Sequence, residues 1–177
     1  TSPIRVYVLQ HLTSAMIDQA WLRRRLGAAV SLRNEIPEND TTGFRLVHGE
    51  NDRLPGLVLD RYGGTLVLKL YTAAWLPWLS QVLPVLPSLC AHERLVLRLS
   101  RRVSRLTNEL HGLEDGLVLS GPACTEPVIF SENGLRFEAD PIRGQKTGFF
   151  LDQRDNRARV EGMAAGKSVL NVFAYTG

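Results

Sequence analysis

The feature that most constrains the fold is a series of short apolar runs separated by glycine-containing turns between residues 44 and 138. Such runs are typical of β-strands, and Gly63-Gly64 and Asn133-Gly134 have the chemistry of tight hairpin turns. Residues 73–90 interrupt the series with an apolar stretch that we interpret as helical despite its prolines. This order of elements predicts an α+β domain with an antiparallel or mixed sheet. The predicted strands are 44–48, 57–62, 65–71, 95–99 and 117–122, with a hairpin at 128–138.

The N-terminal forty residues have a different pattern. Residues 4–10 alternate loosely and predict a strand. Ser14 is a candidate N-cap for a helix running to about Ile36, which Pro37 and a polar linker over 37–43 would end. The polar side of this helix is either a solvated face or a surface that lies along nucleic acid phosphates, and it carries Arg23, Arg24 and Arg25.

The last 37 residues predict the beginning of a second domain. We expect a helix at about 152–164 with Gly166 as its terminator, then a buried strand at 169–174 and a turn at 175–177. Helix, strand and glycine turn in this order begin a doubly wound α/β domain, so we expect the truncated start of a Rossmann-like domain. Because the sequence stops directly after this strand, we expect a piece of a longer protein.

Composition excludes several classes of protein. With 44% hydrophobic and 22% charged residues, the chain is neither disordered nor collagen-like, since its glycines have no period of three. No stretch approaches the roughly 20 uncharged apolar residues of a membrane-spanning helix. Two cysteines cannot staple a chain of 177 residues. The N-terminus does not resemble a secretory signal, and we therefore expect a cytoplasmic protein.

Arginine dominates the positive charge. The net charge is +3, and all of the 21 basic residues except Lys69, Lys146 and Lys167 are arginine. A guanidinium group suits phosphates and base edges, although an arginine-biased genome gives the same composition. A second arginine cluster lies near the predicted strand at 95–99, where it either solubilises a loop or follows RNA phosphates. Its members are Arg94, Arg98, Arg101, Arg102 and Arg105.

Metal-binding and nucleophile motifs are lacking in the sequence. The four histidines are isolated, and Cys90 and Cys124 have no CxxC partner, so we expect no metal site. There is no nucleophile elbow, phosphate-binding Walker loop or HExxH motif. We interpret Cys90, which follows an apolar helical stretch, as a packing residue.

Residues 140–157 carry the strongest signal for chemistry. Gly144 and Gly148 allow the backbone to approach a ligand closely. Between and after them stand hydrogen-bonding, cationic and aromatic side chains. The segment predicts an anion-binding loop at a helix N-terminus, and a charged surface loop is the alternative. The side chains are Gln145, Lys146, Thr147, Phe149, Phe150 and Arg154.

Three runs of sequence resemble a known family. Residues 144–154 (GQKTGFFLDQR) and 169–177 (VLNVFAYTG) resemble RlmI-like class I methyltransferases, which use S-adenosylmethionine to methylate large-subunit ribosomal RNA. Residues 49–63 (GENDRLPGLVLDRYG) are similar to the family's middle domain. The resemblance implies four parts: the tail of an RNA-binding PUA domain at 1–13, a connecting helix at 14–38, a central α+β domain at 39–140 and the start of the catalytic domain at 141–177.

The resemblance also implies an activity. It favours formation of 5-methylcytosine in 23S ribosomal RNA, in which a cysteine thiolate adds to C6 of the base before C5 takes the methyl group. In the family that cysteine lies beyond the position of Gly177, so we expect no catalytic residue in this chain and no activity of the piece alone. A guanine-modifying methyltransferase and a non-catalytic RNA-binding module are the alternatives. Ribosomal RNA is the expected partner, and homodimer formation is left open.

Site residues follow from the same resemblance. The Arg154 guanidinium is suited to hold the carboxylate of S-adenosylmethionine. Residues expected to bind this cofactor are Lys146, Thr147, Gly148, Phe149, Asp152, Gln153, Arg154, Asn171, Phe173, Tyr175, Thr176 and Gly177. Residues expected to contact RNA are Arg23, Arg24, Arg25, Arg98, Arg101, Arg102, Arg105 and Arg143.

Overall fold

A computed structural model describes residues 6–11, 13–36, 40–106 and 112–172. The α-helices of these ranges are α1 (Gln19–Ser31), α2 (Leu79–Val82), α3 (Leu86–Leu89) and α4 (Arg154–Ala164). The strands are β1 (Gly43–His48), β2 (Leu57–Tyr62), β3 (Thr65–Leu70), β4 (Arg94–Leu99), β5 (Val118–Ser120), β6 (Val128–Glu132) and β7 (Leu135–Ala139). Short 3-10 helices occupy Gly49–Asp52, Ala73–Trp78, Leu83–Val85 and Leu151–Gln153.

Strands β1 to β5 form one mixed sheet in sequence order. Neighbouring strands are antiparallel except β3 and β4, which are parallel and therefore need a crossover connection. The proline-containing stretch between them supplies it as a string of short helical pieces from Ala73 to Leu89. The prediction of a mixed sheet with one helical insertion is confirmed.

Strands β6 and β7 form a separate two-stranded hairpin. Its turn residues Asn133 and Gly134 have φ angles of 50° and 79°. Two successive positive φ angles are the requirement of a type I′ turn, which asparagine and glycine meet at low cost. The predicted hairpin is therefore confirmed, with its tip at the expected residues.

One face of the mixed sheet is apolar and packs against the helices. Because side chains alternate along a strand, the leucines of β2, β3 and β4 point to this face. They meet Trp21, Leu22 and Leu26 of α1 and the apolar side of the crossover helices. Each fully buried leucine contributes about 1.5–3 kcal/mol. This face forms the main core of the described chain.

The opposite face of the sheet has a smaller aromatic core. Tyr62, Val67 and Val96 of the sheet pack there with Phe130 of the hairpin and Phe149 of the segment that follows it. The Phe130 ring lies edge-on to Tyr62 and to Phe149, with centroid separations of 5.2 Å and 5.0 Å. The hairpin and the following segment therefore dock on the sheet through aromatic contacts.

The N-terminal predictions need correction. Residues 6–10 form no strand, so the strand predicted at 4–10 is wrong over its described part. Helix α1 begins at Gln19, because Asp18 caps it by accepting a hydrogen bond of 2.8 Å from the Trp21 amide. Ser14 is therefore not the cap. The helix ends at Ser31 and continues as turns, earlier than the predicted end near Ile36, while Pro37 lies outside the described residues.

The C-terminal predictions are confirmed for the helix and wrong for the strand. The helix predicted at 152–164 appears as a 3-10 turn followed by α4, and Gly166 follows it with a φ of 67°. Val169, Leu170 and Val172 are exposed by 59%, 86% and 56% and form no strand. Among the described residues no neighbouring strand pairs with them, and a parallel strand is buried only between such neighbours. Residues 173–177 lie outside the described ranges.

In the part of the chain that the structure describes, every helix is too short or too polar to cross a membrane.

Candidate functional site

The segment that carried the strongest sequence signal leaves β7 and crosses the aromatic side of the sheet. Asp140 is the first residue of this segment, and its Oδ1 stabilises the turn by accepting hydrogen bonds of 2.9 Å from the amides of Ile142 and Arg143. A Cβ atom on Gly144 would stand 2.5 Å from the Asp140 carbonyl oxygen, and Gly148 has a φ of 134°. Both glycines are therefore required by the path of the loop.

Four polar residues of the sheet face this loop. Arg45 is paired with Asp60 across β1 and β2, and Lys69 is paired with Arg98 across β3 and β4. Strand alternation places all four on the face opposite the leucines. The loop therefore crosses a charged surface of the sheet.

Lys69 and Arg98 bind the main chain of the loop. Arg98 is buried, and its Nη1 donates to the carbonyl oxygens of Pro141 at 3.0 Å and Gly144 at 3.2 Å. Its Nε is 2.9 Å from Asp115 Oδ1. The Lys69 ammonium donates to the Lys146 carbonyl at 2.5 Å. Burial and then the positive charge of Arg98 lower the pKa of Lys69.

Asp60 and Tyr62 bind the end of the loop. Asp60 is fully buried and accepts a two-pronged ion pair from Arg45, at 2.7 Å and 3.0 Å. The Thr147 hydroxyl donates to Asp60 Oδ2 at 2.5 Å and lies 2.9 Å from the Tyr62 hydroxyl. The Phe149 amide donates to that same tyrosine oxygen at 3.2 Å. Burial and then the Asp60 charge raise the pKa of Tyr62, so its hydroxyl remains protonated.

These contacts form a set that we call the loop anchor: Asp60, Tyr62, Lys69 and Arg98. Each anchor residue lies on β2, β3 or β4, and each binds between Pro141 and Phe149. Four bonds reach carbonyl oxygens of the loop, and others reach the Thr147 hydroxyl and the Phe149 amide. The anchor fixes the loop by its backbone and leaves its outward side chains available.

Charged side chains lie close together between the loop and the first residues of α4. The Lys146 ammonium lies 2.8 Å and 2.9 Å from the two oxygens of Asp152 and 4.3 Å from the centre of the Phe150 ring. The hydrogen bond from Lys146 lowers the pKa of Asp152. Arg154 Nε lies 3.2 Å from Asp155 Oδ1. Both charge signs are thus presented within one short segment.

A cleft lies between this segment and the middle of the fold. It has a volume of about 240 Å³ and is lined by Asp152, Arg154 and Asp155 on one side and by Arg33 and Arg45 on the other. One wall carries both charge signs and the other carries guanidinium groups, which suits a ligand that carries both charges, because each ligand charge then finds an opposite partner.

A buried ion pair holds α4 to the hairpin. Glu132 accepts two bonds of 2.6 Å from the Arg157 guanidinium, which also donates to the Phe150 carbonyl at 3.1 Å. The same guanidinium lies 4.6 Å from the centre of the Phe149 ring. Helix α4 is therefore positioned by the hairpin.

Comparison with known proteins gives consistent matches. A family model described as an S-adenosylmethionine-dependent methyltransferase matches residues 115–177. The chain is 47% identical to a ribosomal RNA large subunit methyltransferase of Deinococcus radiodurans, over 99% of this chain and 44% of that protein. It is 39% identical to ribosomal RNA large subunit methyltransferase I of Shewanella amazonensis, again over 99% of this chain and 44% of that protein.

By sequence, the chain is similar to ribosomal RNA large subunit methyltransferases over 99% of its length. It spans about 44% of the length of the curated relatives that it matches.

Solved structures share the fold of this chain. A protein from Streptococcus mutans described as a SAM-dependent methyltransferase aligns over 86% of this chain and 38% of that chain, with a TM-score of 0.72 and 18% identity. A second structure, described as a methyltransferase complexed with SAH, aligns over 84% of this chain and 36% of that chain, with a TM-score of 0.70 and 18% identity.

Of the predicted cofactor residues, the fold brings Asp152 and Arg154 to the cleft. Lys146 binds Asp152 from outside the cleft lining, and Gln153 is exposed beside them. Thr147 and Phe149 are instead 1% exposed and bind the sheet and the hairpin, which corrects their predicted place in the cleft lining. Gly148 is buried beside them, and Asn171 is exposed beyond α4. The remaining predictions fall outside the described residues: Phe173, Tyr175, Thr176 and Gly177.

The predicted RNA-binding arginines lie in three parts of the fold. Arg98 is buried and holds the loop, so its assignment to RNA is wrong. Arg23 donates to Ser88, and Arg25 donates to Gln10 and lies over Trp21. The exposed members are Arg23 and Arg24 on α1, Arg101, Arg102 and Arg105 after β4, and Arg143 in the loop.

Sequence reasoning missed most of the loop anchor. From the sequence, we predict only strand positions for Asp60, Tyr62 and Lys69. One signal was available: a carboxylate and an ammonium each stand inside an otherwise apolar strand, at Asp60 in β2 and Lys69 in β3. Cys90 is buried, and burial raises its pKa, in agreement with a packing role. Within the described ranges no three His, Cys, Asp or Glu side chains gather as metal ligands would.

Proposed function

We propose that the full-length protein transfers a methyl group from S-adenosylmethionine to 23S ribosomal RNA. In this proposal residues 39–140 form the central domain and residues 141–177 begin the catalytic domain. The observation that carries the proposal is the cleft wall formed by Asp152 and Arg154, which directly follows the anchored loop and lies in the segment that the methyltransferase family model matches. Lys146 of the loop binds Asp152.

The donor set at the cleft fits the amino acid part of S-adenosylmethionine, which carries one ammonium and one carboxylate. The Arg154 guanidinium would bind the carboxylate, and Asp152 would bind the ammonium. Lys146 keeps Asp152 ionised by its hydrogen bonds. When bound, the cofactor supplies an electrophilic methyl group on sulfur. Further contacts are proposed for Gln153, Asn171, Phe173, Tyr175, Thr176 and Gly177.

We propose that the methylated atom is C5 of a cytosine. The support is the resemblance of residues 144–154 and 169–177 to RlmI-like enzymes. A cysteine thiolate would add to C6, C5 would take the methyl group, and a base would remove the C5 proton as the thiolate leaves. That cysteine is expected outside this chain, so the residues described above bind and position rather than react.

The loop anchor would serve this reaction by preorganisation. Methyl transfer requires donor and acceptor in line, and holding them there supplies much of the rate. The anchor fixes the backbone from Pro141 to Phe149 and so fixes where Lys146 and Asp152 stand. The middle domain thereby positions one wall of the cofactor site.

The test of this function uses the full-length protein with methyl-labelled S-adenosylmethionine and unmodified 23S transcript. We expect label in RNA and, after digestion to nucleosides, 5-methylcytidine by mass spectrometry. Label in guanosine would contradict the cytosine assignment alone. The absence of transfer to any RNA would contradict the function.

A paired substitution tests the cleft. Arg154→Ala should weaken cofactor binding by about tenfold, the loss of one charge-assisted pair of roughly 1.5–3 kcal/mol. Arg159→Ala is the matched control, because Arg159 is an exposed arginine on the same helix. Calorimetry on the full-length variants measures both. Equal affinities for the two variants would remove Arg154 from the proposed site.

A further inference from the structure

Two adjoining cavities lie where the parallel strands β3 and β4 end. Their volumes are about 360 Å³ and 170 Å³, and both are lined by Tyr7, Thr72 and Arg102. The larger one also reaches Trp78, and the smaller one reaches Tyr71. We call this surface the aromatic groove. Apart from the RNA contact expected of Arg102, none of the roles assigned above involves it.

The lining of the aromatic groove combines rings with one guanidinium. Tyr7 and Tyr71 are 41% and 49% exposed, and Arg102 is exposed. Among the described residues that line it there is no carboxylate. Arg101 and Arg105 are exposed nearby and add positive charge. Stacking rings with a cationic side chain are the means by which proteins bind single-stranded nucleic acid without base pairing.

The walls of the groove are fixed in place. Trp75 is buried at its base, and its indole N–H donates to the Pro55 carbonyl at 2.8 Å. The N-terminal segment that contributes Tyr7 to the groove is bound to α1, because Gln10 accepts hydrogen bonds of 3.1 Å from both Trp21 and Arg25. A ligand would therefore meet a largely preformed surface, at a small cost in ordering.

The groove is connected to the loop anchor. The Tyr71 ring lies 5.5 Å from the Lys69 ammonium, which itself donates to the Lys146 carbonyl. Tyr71 follows Lys69 by two residues, so the two side chains lie on the same side of the chain where β3 ends. A single strand of RNA held in the groove would thus lie beside the anchored loop, which leads into the segment that carries Asp152 and Arg154.

We propose that the aromatic groove binds an unpaired nucleotide of the RNA substrate, with its base against Tyr71 or Trp78 and a phosphate at Arg102. This proposal rests on the proposed function, from which it takes RNA as substrate, and it adds where the single strand docks. The groove would hold RNA next to the nucleotide that is methylated, since the target base must itself be unstacked to react.

The experiment measures binding of a fluorescein-labelled, single-stranded ten-nucleotide RNA to the full-length protein by anisotropy. Tyr71→Leu should raise the dissociation constant about tenfold, within the range that one stacked base supplies. Tyr71→Phe keeps the ring and should bind as the unchanged protein does. This pair separates stacking from simple burial of apolar area.

Arg102→Ala tests the phosphate contact. It should also weaken binding, and it should reduce the slope of log affinity against log salt by about 0.7, the value for one phosphate contact of a single strand. Arg136→Ala is the matched control, because Arg136 is exposed on the hairpin and away from the groove. It should leave both affinity and slope unchanged.

Three outcomes overturn the proposal. If Tyr71→Leu and Arg102→Ala bind RNA as the unchanged protein does while methyl transfer persists, the groove is not the docking site and the proposed function stands. If the unchanged protein neither binds nor methylates RNA, both proposals fail. If hydrogen exchange of residues 71–74 is already slow in the RNA-free full-length protein and RNA does not alter it, another part of the protein fills the groove.

Discussion

At the scale of single residues, Asp60 is the least expected feature of the molecule. It stands in a strand of buried apolar residues, and it is itself fully buried. An isolated carboxylate there would cost several kcal/mol, so its pairing with Arg45 and its bond from Thr147 are necessary. A single sequence cannot reveal this, because a charged residue in an alternating strand is equally consistent with a solvent-facing position.

Thr147→Val tests the hydrogen bond to Asp60. The substitution keeps the shape of the side chain but leaves Asp60 Oδ2 without its hydroxyl partner. We expect a loss of about 1–3 kcal/mol in the free energy of unfolding, measured by urea denaturation. Thr147→Ser keeps the hydroxyl and should lose less. Equal stability of the Val and Ser variants would show that the bond contributes nothing.

The environment of Tyr62 can be tested by the pH dependence of the free energy of unfolding. Burial and the Asp60 charge raise its pKa in the folded protein above the unfolded value of about 10. Its contribution to stability is therefore complete below pH 10 and is lost as pH rises beyond that value. The stability difference between the unchanged protein and Tyr62→Phe should shrink above about pH 10.

The control for this pH dependence is Tyr7→Phe, whose ring is exposed and makes no bond to the loop among the described residues. Denaturation is followed across the same pH series for both variants. A stability difference for Tyr62→Phe that stays constant up to pH 12 would contradict the raised pKa.

At the scale of elements, the strands of the central sheet were predictable and the chain ends were not. Strand β2 has the predicted bounds 57–62, because Pro55-Gly56 and Gly63-Gly64 flank it in the sequence. The run at 169–172 looks similar in sequence but is exposed, since no partner strand is described beside it. A strand is stable only in a sheet, so apolar pattern alone cannot establish one.

Substitution of Gly43 tests how closely the hairpin packs against the sheet. A Cβ atom at this position would overlap the ring of Phe130, which is buried in the aromatic core. Gly43→Ala should cost about 1–3 kcal/mol through overpacking.

Gly162→Ala is the matched control for Gly43→Ala. It lies in α4 with nothing within 4 Å of its Cβ position, so alanine should stabilise the helix by roughly 0.5–1 kcal/mol. Thermal unfolding of the two variants should therefore shift in opposite directions. A shift of the same sign in both would show that the hairpin moves to accommodate the methyl group.

At the scale of the whole molecule, the hairpin joins two parts of the chain that sequence separates. Its Phe130 packs on the sheet, and its Glu132 binds Arg157 of α4. Glu132 and Arg157 are 25 residues apart, and Asp60 and Thr147 are 87 apart. Contacts of such separation have no local signal, which explains why the segment 140–157 was predicted as a site but its attachment was not.

Glu132→Gln tests the attachment of α4. The variant leaves the Arg157 guanidinium without its charge partner, and because that guanidinium is partly exposed we expect a loss of about 1–3 kcal/mol in the free energy of unfolding. Amide exchange in α4 should become faster than in β2 and β3. Glu138→Gln, at an exposed position of the same hairpin, is the control. Unchanged exchange in α4 would show that other contacts hold the helix.

The loop anchor binds the main chain of the loop, and this determines which loop positions tolerate substitution. Lys69 and Arg98 hold carbonyl oxygens, which every amino acid possesses. The outward positions 143 and 145 can therefore be exchanged without loosening the fold, whereas Lys146 has a positive φ of 57° and binds Asp152. A library randomised at these two codons should keep its melting temperature while its ligand preference varies, which makes the loop a suitable starting point for redirecting specificity.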